Sequence, residues 1–318
     1  MSRTVVVRAP TRIDLGGGWT DVPPYCDREG GFVCNLAITR YATATVTSAG
    51  GTDAAHPGSD SDSDLLRAVV RRSALSDAWI SLRNDFPVGA GLGGSSAASA
   101  AMLVACAEWR GDAWDRGDIA ELGRRIEVED LGVAGGRQDH YAAAFGGALA
   151  LTFTHTVNVR RIVVSPATGN ALASRAILVY TGQSRISGDT ITAVLAAYER
   201  GDVRVVPALR RLRELAEQMA VALERGDLDT LGALLDEHWQ FQRSLHASIP
   251  TPLIDEIIRR AKDVGALGAK ATGASGGGCV LVLTRAGDES RVRAAVASLG
   301  AFVDFGMDSD GVCLLNHG

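Results

Sequence analysis

The stretch "PVGAGLGGSSAASAAML", residues 87–103, sets glycines at 89, 91, 93 and 94 directly before Ser95-Ser96 and a run of small apolar residues. No helix breaker occurs from Ser95 to Glu108, so a buried helix is expected to begin at the serines. Glycines permit positive φ and let backbone amides converge on one point. A helix start adds unpaired N–H donors and the positive end of a dipole. Together these favour an anion, most naturally a phosphate. The serine hydroxyls can cap the helix or hold a metal ion.

Gly89-Ala-Gly91-Leu-Gly93-Gly94 also satisfies GxGxxG, the dinucleotide fingerprint. That motif needs a hydrophobic strand before it and a ribose-binding acid about twenty residues after it. Asn84-Asp85-Phe86-Pro87 is poor strand material, and Asp112 and Asp115 lie in a polar segment with no strand ahead of them. A Walker A loop fails as well, because no Gly-Lys-Ser/Thr follows. An oxidoreductase built on this loop is therefore disfavoured.

Two further glycine-rich stretches flank it. In "RAPTRIDLGGGWTDVPPY", residues 8–25, Arg12, Asp14 and Asp21 surround Gly16-Gly17-Gly18 and Trp19. Such backbone suits either a tight turn or close approach to a polar ligand. In "KATGASGGGCVLVL", residues 270–283, small residues lead from Lys270 into a buried strand. Between the second and third stretches, "GVAGGRQDHYAAAFGG" (132–147) places Asp139 in a glycine-rich loop after a helix carrying Glu127 and Glu129.

Composition bounds the rest. At 318 residues with 46% hydrophobic and 22% charged residues, two ordinary globular domains are expected. A net charge of −5 argues against nucleic acid as a partner, and no apolar run is long enough for a membrane span. Five cysteines without CxxC spacing read as free thiols of a reducing cytoplasm. Asp60-Ser-Asp62-Ser-Asp64 lacks the glycine and distal Glu of a calcium loop, and no histidine pair has zinc spacing. The polar residues 50–64 read as a mobile loop. Strands are expected at 3–8, 32–48, 79–82, 176–181, 279–284 and 311–315. Helices are expected at 65–73, 95–108, 119–131, 206–225, 228–245, 252–264 and 290–299. This order suggests α+β domains, with a soft boundary that we place at 1–165 and 166–318.

Residues 87–96 resemble the ATP-phosphate motif of the GHMP kinases, 8–25 their N-terminal substrate motif, and 270–278 their C-terminal glycine motif, in the family's order and spacing. The resemblance implies a ribosomal-protein-S5-like N-terminal domain, a ferredoxin-like C-terminal domain and a site between them. "GGRQDHYAAAFGG" and the segment 234–278 are similar to the heptose 7-phosphate kinase branch, whereas "GGGWTDVPPY" and "GGFVCNLAI" are similar to the L-fucokinase branch. Both branches phosphorylate an anomeric hydroxyl.

By that resemblance, Gly89, Gly91, Gly93, Gly94, Ser95 and Ser96 would wrap the ATP phosphates, while Ser96 and Glu127 would hold Mg²⁺. Glu127 is preferred to Glu129 because it lies five residues before Gly132, as the family's acid lies before its glycine. Asp139 would be the catalytic carboxylate, and Arg12 its partner. Gly17, Gly18, Trp19, Asp21 and Gly273 would meet the sugar, and Arg137, Arg185 or Lys270 would meet a distal phosphate. Gly18-Trp19 stands where galactokinase has Glu-His, which speaks against galactose. A catalytically silent sugar and ATP sensor on the same fold is disfavoured by the presence of Asp139, Arg12, Ser96 and Glu127.

Overall fold

The computed structural model describes residues 3–48, 64–183 and 188–317. Residues 50–63, with the aspartates of the calcium reading at 60 and 62, and Arg185 lie outside the described residues. Strands β1 (Thr4–Gly16), β2 (Gly31–Ser48), β3 (Ala78–Asn84), β4 (Ala148–Phe153) and β5 (Val157–Ile162) come first. Next are β6 (Ala176–Tyr180), β7 (Ala266–Ala271), β8 (Cys279–Thr284) and β9 (Ala301–Phe302), and β10 (Cys313–His317) closes the described chain.

Two sheets result, both antiparallel. The first runs β10-β1-β2-β4-β5, with β3 beside the far half of β2; the second runs β7-β8-β6-β9. The long β2 makes this possible, because residues 31–36 pair with β4 and residues 42–48 with β3. A C-terminal unit running to 318 would include β10, yet β10 pairs with β1 in the first sheet. The end of the chain therefore returns to its beginning.

Helices α1 (Tyr25–Glu29), α2 (Asp64–Arg72), α3 (Gly94–Arg110), α4 (Arg116–Arg125) and α5 (Gln138–Phe145) accompany the first sheet. Helices α6 (Pro166–Arg175), α7 (Gly188–Glu199), α8 (Val205–Arg225), α9 (Leu228–Ser244), α10 (Pro252–Asp263) and α11 (Glu289–Val296) follow. The Gly226-Asp227 break between α8 and α9 has a clear cause. Gly226 ends α8 in the left-handed region, and the Asp227 carboxylate caps α9 by accepting from Thr230 N. Among the described residues no helix is long and apolar enough to cross a membrane. Cys26, Cys34, Cys106, Cys279 and Cys313 are all free, and burial raises the thiols of Cys34 and Cys279 to about 12.

α3 is lined with alanines all round and lies buried among Val5, Val7, Ala42 and Ala44 of the first sheet. Small side chains let a helix with polar first residues sink into the layer. Leu215 and Met219 of α8 share one core with Ile13, Leu15 and Leu36 of the first sheet and Leu178 and Leu281 of the second. This shared core fixes the two sheets against one another. Met102 is fully buried in α3, so Met102→Ala should destabilise the fold by about 2–5 kcal/mol, read as a lower urea midpoint at unchanged slope.

Candidate active site

Arg12 and Asp14 are two residues apart on β1, so they project from the same face of the sheet. Both line a cleft of about 540 Å³ between the two halves of the molecule. The Arg12 guanidinium grips Asp139 with two bonds, Nε to Oδ1 at 2.7 Å and Nη2 to Oδ2 at 2.8 Å. Its Nη1 donates to Gly91 O at 2.7 Å, and its backbone N–H donates to Leu92 O at 2.9 Å. One side chain thereby ties β1, the glycine loop and Asp139 together.

Asp139 is not in a loop. It occupies the first turn of α5, where the helix dipole favours a carboxylate. The glycine loop passes so close that a Cβ on Gly93 would lie 3.2 Å from Asp139 Cγ. Gly93 itself caps α3 in the left-handed region at φ 72°. The first turn of α3 carries no acidic residue and receives no side-chain cap, and Gly93, Gly94 and Ser95 at this helix start line the cleft.

Glu127 reaches the same place from a π-helical turn, residues 126–130, that continues α4. A π-turn re-aims the side chains that follow it, and such turns gather at functional sites. Glu127 Oε1 accepts from the Ser95 hydroxyl at 2.7 Å, and Oε2 lies 2.9 Å from His140 Nε2. Burial raises its pKa, but the bonds from His140 and Ser95 outweigh this and hold the carboxyl below its ordinary range. Glu129 instead turns outward to Arg72. Ser96 does not sit as a metal ligand would, since its hydroxyl is buried 3.4 Å from His140 Nε2. The hydroxyl beside Glu127 belongs to Ser95.

Asp21 is 1% exposed and its Oδ2 accepts from the backbone N–H groups of Arg137 and Gln138, at 2.8 and 3.0 Å. Burial, with Asp139 and Asp14 nearby, raises its pKa to about 6. Gly136 is required here, because a Cβ would collide with this carboxylate. Trp19 lines the cleft at φ 83°, a strained conformation for a side chain of this size, and its body packs with Val22, Tyr25 and Ile191. Leu65, Leu82, Phe86, Val88, Leu131 and Val133 form an apolar wall at the other end, where Asn84 Oδ1 is buried without a partner.

Three expected substrate contacts lie elsewhere. Lys270 is fully buried under β1, where its ammonium donates to Asp14 Oδ2 at 3.0 Å and to Asp14 O at 2.9 Å. Its single charge is taken up below the cleft floor. The Gly17 N–H donates to His238 Nε2 at 3.0 Å, and burial keeps His238 neutral by lowering its pKa far below the ordinary value. Gly17 is a turn residue that supports the cleft without lining it. Arg137 contributes its backbone to Asp21, while its side chain does not line the cleft.

Gly18 and Gly273 do line the cleft. Gly273 packs on Gly91, where a Cβ would lie 3.1 Å from the facing Cα. Sequence reading passed over Gln138, His140 and Gln242. Gln242 Nε2 donates to Gly273 O and the Ser275 hydroxyl, both at 3.0 Å, and so holds the third glycine stretch in shape. The Gln-Asp-His run 138–140 was the available signal for the first two: three polar residues that open the alanine-rich α5.

A model of the GHMP kinases N terminal domain matches residues 64–147, and the GHMP kinases C terminal model matches residues 219–301. D-glycero-alpha-D-manno-heptose 7-phosphate kinase of Campylobacter jejuni is 28% identical, over 98% of both chains. The bifunctional fucokinase/GDP-fucose pyrophosphorylase of Arabidopsis thaliana is 24% identical over 91% of this chain, which spans 30% of that protein. Among solved structures, a D-glycero-D-manno-heptose 1-phosphate kinase from Bacteriodes thetaiotaomicron superposes with TM-score 0.74 at 26% identity, covering 98% of this chain and 99% of that one. Lactococcus lactis galactokinase complexed with galactose gives TM-score 0.77 at 17% identity, covering 98% and 95%, a likeness of fold alone.

The position of Asp21 has a measurable consequence. Its folded pKa, about 6, lies above the ordinary 3.8, so folding favours the protonated form. The stability it contributes is full below about pH 4 and is lost as pH rises through about 6. The melting temperature of the wild type should therefore fall relative to that of Asp21→Asn as pH is raised from about 4 to about 7.

Proposed function

The chain belongs to the GHMP kinases, whose two domain models together match more than half of it, and on that premise we propose an ATP-dependent kinase for the anomeric C1 hydroxyl of D-glycero-D-manno-heptose 7-phosphate. One observation carries the reading: Asp139, gripped by Arg12, touches a glycine loop that ends in an uncapped helix start. Phosphoryl transfer asks a protein mainly for positioning and charge stabilisation, and this arrangement offers both.

The amides of residues 89–96 would cradle the triphosphate, with the adenine against the apolar wall and its exocyclic amine near Asn84. Asp139 orients the C1 hydroxyl and takes its proton as the oxygen attacks the γ-phosphorus. The bond from that phosphorus to the β–γ bridging oxygen breaks, and ADP leaves. Arg12 offsets the charge that moves with the phosphoryl group.

Among the described residues no group of three or more His, Cys, Asp or Glu could hold a metal. The fit is instead to Mg²⁺, which is held by one or two protein oxygens plus substrate phosphates. Ser95 and Glu127, a hydroxyl and a carboxylate at the helix start, are such a donor pair. When bound, the ion neutralises phosphate oxygens. Asp21 would accept from ring hydroxyls, and Trp19 would border the sugar.

A second reading, an L-fucose or related 6-deoxysugar 1-kinase, has its own support. Arg12 is the one cationic side chain lining the cleft among the described residues, and it is already paired with Asp139. Lys270 is buried beneath the floor. An acceptor without phosphate suits such a cleft.

Incubation with ATP, Mg²⁺ and each sugar, followed by phosphorus NMR, should show an anomeric phosphate on one of them. Turnover on neither removes both substrates. Asp139→Asn should lower kcat by about 10²–10⁴-fold with little change in the KM for ATP. His140→Gln should raise the Mg²⁺ concentration for half-maximal rate by about 10-fold or more, read by titration at saturating ATP.

A further inference from the structure

Asp14 takes no part in the transfer just described, yet it lines the cleft and is 2% exposed. Its Oδ2 accepts from Lys270 Nζ at 3.0 Å. The same ammonium donates to Asp14 O at 2.9 Å and Leu15 O at 3.4 Å, so each of its three protons has an acceptor. Asp14 Oδ1 is buried and has no protein partner. Such an atom is costly to leave alone, and a carboxylate oxygen more so than a neutral one.

It does not stand alone. Gln138 Oε1 and Trp19 Nε1, on residues that line the same cleft, are also buried without partners. Gly18 lies between the first two groups: a Cβ there would sit 2.5 Å from Asp14 Oδ2 and 3.0 Å from Gln138 Nε2. Two acceptor oxygens and one N–H remain for a ligand. That is the complement of a polyol, whose hydroxyls both donate and accept.

We propose that Asp14 is a specificity-determining residue whose Oδ1 accepts a hydrogen bond from a non-reacting hydroxyl of the acceptor sugar. Lys270 is the positioning residue that fixes this carboxylate. The inference rests on the sugar kinase reading above and says which part of the acceptor is read here: a neutral, hydroxylated face. No cationic side chain besides Arg12 lines the cleft among the described residues, so any phosphate on the acceptor points away from this end.

The test combines protein variants with monodeoxy analogues of whichever sugar the wild type phosphorylates. Asp14→Leu alone leaves a lone buried ammonium; Asp14→Leu/Lys270→Met removes the acceptor oxygen and both charges together. Melting curves report folding of each. In the wild type, one monodeoxy analogue should lose about 100-fold or more in kcat/KM, because the site's polar group is left unpaired. In the double variant the parent sugar should lose a similar factor through KM, and the penalty for that analogue should shrink to about 3-fold or less. The KM for ATP should stay the same in both.

An unchanged acceptor KM in the folded variants, or a deoxy penalty that persists in them, overturns the role of Asp14. A wild type that phosphorylates no sugar overturns the kinase reading instead.

Discussion

The bidentate bond between Arg12 and Asp139 is the constraint on which the cleft is built. Arg12 comes from the middle of β1 and Asp139 from the first turn of α5, 127 residues later. A guanidinium is a planar fork of fixed geometry, so two bonds to one carboxylate set orientation as well as distance. The remaining donors of Arg12 hold the carbonyls of Gly91 and Leu92. The loop that would meet phosphate is thus positioned by the residue that fixes the carboxylate. A shift in either is transmitted to the other through one rigid group.

The glycines serve this arrangement mostly by what they leave out. A Cβ on Gly91 would press on Thr272, one on Gly278 would lie 2.7 Å from Ala90 O, and one on Gly136 would collide with Asp21. The three glycine-rich stretches pack on one another and on the carboxylates, as well as presenting backbone to a ligand. This is why they recur in one chain at such distance. Each half of the molecule must be thin where it meets the other.

Much of this was legible from residue patterns, and the failures have physical causes. The helices 206–225 and 228–245 were readable because their apolar residues recur at three and four positions, and the structure has them at Val205–Arg225 and Leu228–Ser244. β7, "ALGAKA", was not. Alanine and glycine are poor strand formers, and Gly268 is there because a Cβ would collide with the backbone of Gly232 in α9. α5 was read as loop since its glycine-rich approach hid the helix start at Gln138. Arg12, Asp139, Asp21 and Glu127, singled out by residue type as candidates for the site, all line the cleft. Residue type misplaced Lys270, because a lysine beside a glycine run looks like an anion ligand until its depth is known. Ser95 and Ser96 differ by one helical step of about 100°, and only geometry separates the one facing Glu127 from the one facing inward.

Two buried carboxylates of the cleft show how partners decide whether the rise that burial imposes on both is overcome. Asp21 and Glu127 are both deeply enclosed, and burial raises each. Glu127 has the His140 ring and the Ser95 hydroxyl against its two oxygens, and its pKa falls below the ordinary value. Asp21 has backbone N–H groups on one oxygen and two neighbouring acids, and its pKa rises to about 6. A carboxylate meant for a cation has to stay ionised before the cation arrives. One meant for sugar hydroxyls can tolerate a higher pKa, because those hydroxyls supply the missing donors and stabilise the anion as they bind. The same reasoning explains why Lys270 lies below Asp14 and not in the cleft: from underneath, it holds the carboxylate without competing with a ligand for it.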